Sequence, residues 1–405
     1  TLDRSSAASD VYKRQGMNIS VGRISLSFPL NLVVTNVDAA SPHNDTLLSV
    51  RRLQVNVQLL PLLKKQVEVD GISLQGATVN SNDLIHGMKL NGTLGELFIS
   101  SHGVALDPET AIVNKVLLKD TDLSLCLNDT AAVDTAASDT TYWKIILQDI
   151  DLQNVSFALD MPLDSLSLAA SLDNAILRDG LIDLHKSAYS LQTFRIKNGR
   201  VRYDSGKPLA ADSLPSGLDP SHIALTDIGV KLDSLYYEGR NMKAIISQFV
   251  LKERSGVEIV SATGRMVSND KVLRVPSLKL ETRDSYLELN AAMDWNALDF
   301  KGEGLVSARL MADIGKPDVV RFMGRMDEKF VRQYPSEPLR IRTGIDGDLN
   351  KLKLTTLTAE LPGALGLFAR GELTHLTDSL LRGGDITLEA ETKDLKFVST
   401  LAEGI

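Results

Sequence analysis

Six histidines, one cysteine and many carboxylates are the residues on which acid–base, nucleophilic or metal chemistry in this chain would draw. The histidines are His43, His86, His102, His185, His222 and His375. No two stand at the i, i+2 or i, i+4 spacing that brings two imidazoles to one metal, and neither His-Glu-x-x-His nor Cys-x-x-Cys occurs. Cys126 lies in the apolar run Leu123–Leu127 with no basic neighbour to hold a thiolate, so it reads as a small strand residue. A nucleophile elbow and a phosphate-binding loop are both missing. The carboxylates alternate with apolar residues, as in Leu280-Glu-Thr-Arg-Asp284, which is the pattern of a solvated strand face. A catalytic dyad needs a pocket to split its pKa values, and this pattern builds none. The expectation is a protein that is not an enzyme and takes no metal or cofactor.

One set of hydroxyls recurs in a fixed context. Asp, then Ser or Thr, then an aliphatic residue or Thr occurs at Thr46, Thr130, Thr135, Thr140, Ser165, Ser213, Ser234 and Ser379. The triplet resembles the acceptor of a general O-glycosylation system of some bacterial cell envelopes. Three copies fall in the polar, low-complexity stretch 128–141, where a bulky surface modification fits best. Asp-Ser and Asp-Thr also form turns between strands. Two readings therefore stand: modification, which would place the chain outside the cytoplasm, or turn chemistry alone.

The elements that would position any site are announced by a repeated phrase. It reads Val69-Asp-Gly-Ile72-Ser-Leu74-Gln-Gly76-Ala-Thr-Val79 and returns at Val113–Leu125, Leu147–Leu159 and Leu191–Tyr203. Its general form is apolar-x-x-apolar-x-apolar-x-(Gly/Asp/Asn)-x-x-apolar-x-apolar. Period-two alternation marks a half-buried strand. At Gly76, Asp120, Asn154 and Asn198 the apolar parity slips by one residue, which would turn the greasy side chains to the other face unless the chain bends there. Gly and Asn tolerate the positive φ of such a bend. The unit is thus strand, kink, strand, with one face kept aliphatic.

Similar alternation runs from Ile19 through Asp385–Ala390 and is broken by the loops 128–141 and 204–221. Pro61 lies in a short apolar knot at Leu59–Lys65. Val319, Phe322, Met323, Met326, Phe330 and Val331 follow helical spacing between Pro317 and Pro335, so one short helix is expected over 318–334. Aromatic residues are only 5% of the 405 and the net charge is −8, which excludes base-stacking surfaces and an electrostatic footprint for nucleic acid. No apolar run reaches the length of a membrane span. Residues 1–15 lack strand alternation and are expected to be a non-native or disordered segment. Residues 16–314 are expected to form an N-terminal β-repeat region, and 315–405 its helix-containing continuation, truncated at the C-terminus.

Gly16–Leu30, and more specifically Leu47–Leu63 followed by Val67–Val79, resemble the strand, apolar-knot, strand, Gly, strand unit of TamB-like proteins in the AsmA-like superfamily. The resemblance implies an all-β fold: an elongated, bent, repetitive sheet shaped like a taco or gutter, with a concave aliphatic face. It also implies a periplasmic location and an inner-membrane anchor that would precede this segment. The associated role is bulk phospholipid movement between inner and outer membranes, and assembly of surface proteins with an outer-membrane barrel partner. The groove-lining candidates are Ile72, Leu74, Val116, Leu118, Ile150, Leu152, Phe194 and Ile196. The partners would be phospholipid acyl chains, each buried CH₂ being worth about 0.8 kcal/mol. Alternation alone leaves a second arrangement open, in which the greasy face packs on another sheet as a closed core and the protein is an envelope scaffold.

Overall fold

A computed structural model describes residues 18–28, 31–41, 45–58, 69–81, 87–105, 109–128, 142–206, 217–301, 304–324 and 328–403. Residues 1–15 and the knot at 59–65 lie outside these. The chain is all-β and divides into two compact units, 1–209 and 210–405. The expected boundary at 314/315 falls inside the second unit.

The first unit contains β1 (Asn18–Ser27), β2 (Asn31–Ala40), β3 (Thr46–Val57), β4 (Val69–Asn80), β5 (Met88–Ala105), β6 (Thr110–Leu127), β7 (Lys144–Met161), β8 (Leu166–Asp183), β9 (Ala188–Leu191) and β10 (Thr193–Ser205). From β1 to β6 each strand pairs antiparallel with the next. β6 and β7 then pair in parallel, and β7 pairs antiparallel with β8. The far edge of β8 holds β10 along its first part and β9 along its last. The bend expected from the repeat is present: Gly76, Asp120, Asn154 and Asn198 have φ of 59, 50, 52 and 53°. An L-residue pays most for this conformation when it is β-branched, and Gly, Asn and Asp tolerate it best.

The second unit is an antiparallel meander of β11 (His222–Glu238), β12 (Asn241–Glu253), β13 (Glu258–Ser268), β14 (Val272–Thr282), β15 (Ser285–Asp294), β16 (Leu305–Ile314), β17 (Leu339–Asp348), β18 (Lys351–Leu361), β19 (Leu365–Thr374) and β20 (Gly383–Thr392). Its tight turns use side-chain acceptors. Asn269 Oδ1 takes the N–H groups of Lys271 and Val272, and Asp348 Oδ1 those of Asn350 and Lys351. Pro276 stands inside β14 where the register jumps from Val275 to Leu278, so its missing N–H is not needed by the ladder.

Among the described residues, four helices belong to this unit: α1 (Trp295–Leu298), α2 (Lys316–Met323), α3 (Glu328–Gln333) and α4 (Leu395–Glu403). The single helix expected over 318–334 is therefore two, α2 and α3, because Gly324 takes φ 70° and ends the first. Helical spacing persists on both sides of that glycine, which is why the sequence reads as one element. α1 is too short to show a period, and α4 was not expected.

Candidate functional site

Strand register converts the eight candidate residues into two continuous rows. In the first, Ile72 lies opposite Ile99, Ile99 opposite Val116, Val116 opposite Ile150, Ile150 opposite Leu177 and Leu177 opposite Phe194. In the second, Leu74 faces Leu97, followed by Leu118, Leu152, Ala175 and Ile196. Both rows extend to the other edge of the sheet, the first through Val55 and Leu32 to Leu26, the second through Leu53 and Val34 to Ile24. Facing residues of paired strands share a sheet face, so each row is one aliphatic stripe across nine strands. The positions next to the second row point the opposite way, and there the corresponding row is polar throughout: Gln75, Glu96, Lys119, Gln153, Asn174, Lys197.

The burial of these side chains separates an open face from a closed core. A face covered by a second sheet would hold its aliphatic residues nearly inaccessible. None of the eight candidates is buried to that degree; Ile72 is 37% exposed and the others are half-buried. Toward the edge strand the same rows open further, with Ile24 65% and Leu26 67% exposed. Among the described residues, both buried hydrophobic clusters lie in the second unit. Among the described residues, neither row of the first unit holds a charged side chain, and apart from Ala175, 4% exposed, the members of both rows are half-buried or exposed.

The second unit repeats the arrangement and partly covers it. Leu280, Leu287, Ala312, Ile341, Ala359 and Leu367 form one row by register. The next positions outward on the same face, Leu339, Leu361 and Leu365, pack with Val319, Phe330, Tyr334, Phe397 and Val398 from the helical region. The three rings stack edge-on or tilted at centroid separations of 5.7–5.9 Å. The predicted helical segment therefore packs against the end of the aliphatic face of this unit.

A buried polar clasp fixes α2. Asp318, 1% exposed, accepts hydrogen bonds from the hydroxyls of Thr282 and Ser285 in the β14–β15 turn. Arg321 bridges Asp318 Oδ1 at 3.0 Å and Asp284 Oδ2 at 2.7 Å. Burial works to lower the Arg321 pKa, but the hydrogen bonds to Asp284 and Asp318 outweigh it and the net shift is upward. The guanidinium thus stays charged, and the clasp reads as structural.

No group of His, Cys, Asp and Glu side chains among the described residues is placed to hold a metal ion. His222 Nδ1 lies 2.9 Å from Asp219 Oδ2, a loop contact, and Cys126 Sγ is 3.2 Å from Asn128 Oδ1. A cavity of about 440 Å³ beside β18–β20 gathers Glu360, Glu389 and Glu391 with Lys393 around Gly366 and Phe368, without a histidine or cysteine.

The Asp-Ser/Thr triplets separate by position. Thr46, Ser165 and Ser379 are exposed at strand starts or turns, and Asp378 Oδ1 accepts the N–H groups of Leu380 and Leu381 there. Ser234 is only 8% exposed inside β11, unlike these three. Strand alternation buries one residue in two, which the triplet pattern alone does not register. Thr130, Thr135, Thr140 and Ser213 lie outside the described residues.

Three further positive-φ positions sit in the same context. Asn36 in β2, Asp179 in β8 and Asp227 in β11 have φ of 52, 51 and 53°. Leu172-Asp-Asn-Ala175-Ile-Leu177-Arg-Asp179-Gly-Leu-Ile182-Asp-Leu184 carries the whole phrase, Ile223-Ala-Leu-Thr-Asp227-Ile-Gly-Val230-Lys-Leu232 all but its first residue, and Leu32-Val-Val-Thr-Asn36 the part before the bend, which the sequence already displayed. Comparison with protein families and with curated proteins finds no match for this chain. No helix among the described residues is long and apolar enough to cross a membrane.

Proposed function

We propose that this protein is a non-catalytic, TamB-like component of a cell envelope whose aliphatic face carries phospholipid acyl chains between inner and outer membranes. The observation that carries the reading is the pair of uncharged aliphatic rows running unbroken across the first unit and left half-exposed. Acyl chains are the ligand such a surface favours, since they bury CH₂ groups and ask for no polar partner. Headgroups would remain in solvent above the groove. In this reading the chain works in the periplasm with an inner-membrane anchor and an outer-membrane barrel partner.

A scaffold reading stands second. It is favoured by β1 and β20, each of which, among the described residues, pairs on one side only and is exposed along its whole length. Such edges accept strands of an assembly partner.

A photo-crosslinking residue placed at Leu152, and separately at the outward neighbour Gln153, tests the choice. Phospholipid covalently attached at Leu152 and not at Gln153 is the expected result. Labelling at neither position would sink the lipid reading in favour of the scaffold. Equal labelling at both would show contact without a face preference and sink it as well.

A further inference from the structure

Five positive-φ residues of the first unit lie on one line across the sheet. Asn36, Gly76, Asp120, Asn154 and Asn198 occupy it in β2, β4, β6, β7 and β10. In the strands between them the facing positions are Gly22, Arg51, Gly95 and Asp173, as the registers on both sides of the line require. The antiparallel and parallel pairings make the five strands that place a positive-φ residue on this line run in one direction and the other four in the opposite one. The alternation breaks where it should, at the parallel β6–β7 pair, which places Asp120 and Asn154 side by side.

No strand slips against its neighbour at this line. Lys119 pairs with Gln153 on one side of it and Thr121 with Val155 on the other. Each strand instead adds one residue, and the added residue points outward. Along β6 the order is Leu118 inward, Lys119 and Asp120 outward, Thr121 inward. Thr121 is 2% exposed while Asp120 is exposed. An outer face with one more residue per strand than the inner face is the longer arc, so the sheet bends toward its aliphatic side. The line is tied on the outside: Asn154 Nδ2 donates to Asp120 Oδ1 at 2.9 Å, Asn198 Nδ2 donates to Asp173 Oδ2, and the Arg51 guanidinium occupies the space a Cβ on Gly76 would need.

We infer that this line is a crease that turns the aliphatic face of the first unit into two walls, and that its Asn, Asp and Gly residues are positioning residues for the groove. The inference deepens the lipid reading and rests on it for its functional meaning, while its geometry stands apart. Spin labels at Lys144 and Asp160, both exposed and on opposite sides of the line in β7, measure the bend. Unbent, their sixteen-residue rise would approach about 53 Å. Asn154→Gly keeps the backbone free to hold positive φ and is expected to leave the distance and the lipid labelling at Leu152 unchanged. Asn154→Val disfavours that φ and is expected to lengthen the distance toward the unbent value and to abolish the labelling. Asn154→Ala is read in the same way and guards against a variant that fails to fold. An unchanged distance in folded Asn154→Val and Asn154→Ala overturns the crease whatever the lipid result. A lengthened distance in a protein whose unsubstituted form takes no lipid upholds the bend, and then the lipid reading and the positioning role fail together.

Discussion

Tyr334 is 7% exposed among Phe330, Phe397 and Leu361, and burial raises the pKa of its phenol. The ionised form is the one a dry aromatic cluster disfavours, so the folded state holds the proton more tightly than the unfolded chain. Below about pH 10 both states keep it and the contribution is constant. Above that the unfolded chain ionises first, and stability falls until the folded-state pKa is passed. Tyr334→Phe removes this dependence. Chemical unfolding followed between pH 8 and pH 11 is expected to show the unsubstituted protein losing stability relative to the Phe variant only above about pH 10. A constant difference across the range would mean that the phenol titrates as it does in water. Neighbouring Asp318 illustrates the opposite solution for a buried group, since hydroxyls and a guanidinium satisfy the carboxylate in place.

At the scale of elements, the two kinds of leucine in this chain should respond differently to truncation. Leu361 belongs to a buried cluster, and Leu361→Ala is expected to cost about 2–5 kcal/mol through lost transfer energy and a residual cavity. Leu152 is half-buried on an uncovered face, so Leu152→Ala is expected to cost nearer about 1 kcal/mol, a fraction of the value for full burial. Equal losses in urea unfolding would mean that the face is closed. The strands and the bend, though not this distinction, were legible beforehand. Alternation located the strands, and the slip at Gly76, Asp120, Asn154 and Asn198 located a bend that the φ values bear out. Alternation could not tell a covered face from an open one, because both demand the same residues. The copies at Asn36, Asp179 and Asp227 passed unnoticed because a single apolar-x-apolar-x-Asn/Asp phrase is common until its backbone is seen. Gly324 escaped because a helix period survives across a glycine that ends the helix.

For the molecule as a whole, charge and ligand contact are carried by different surfaces. The chain has a net charge of −8, yet the aliphatic rows of the first unit contain no charged side chain, and the acidic and basic residues sit on alternate positions pointing away. Contact with acyl chains through such a face is hydrophobic and does not weaken with salt, whereas attraction or repulsion of headgroups would be screened within about 3 Å at 1 M. Lipid labelling at Leu152 is therefore expected to stay constant, or to rise slightly for anionic lipids, as salt is raised from about 0.01 M to about 1 M, where the screening length shortens roughly tenfold. Neutral and anionic phospholipids with the same acyl chains are expected to label alike at the high-salt end. Labelling that collapses in salt would place the recognition on headgroups and charged side chains, and the rows would then be a passive floor. Labelling that persists assigns the capture to the aliphatic face, and it would account for a long sheet that invests its regularity in one uncharged surface instead of in a pocket.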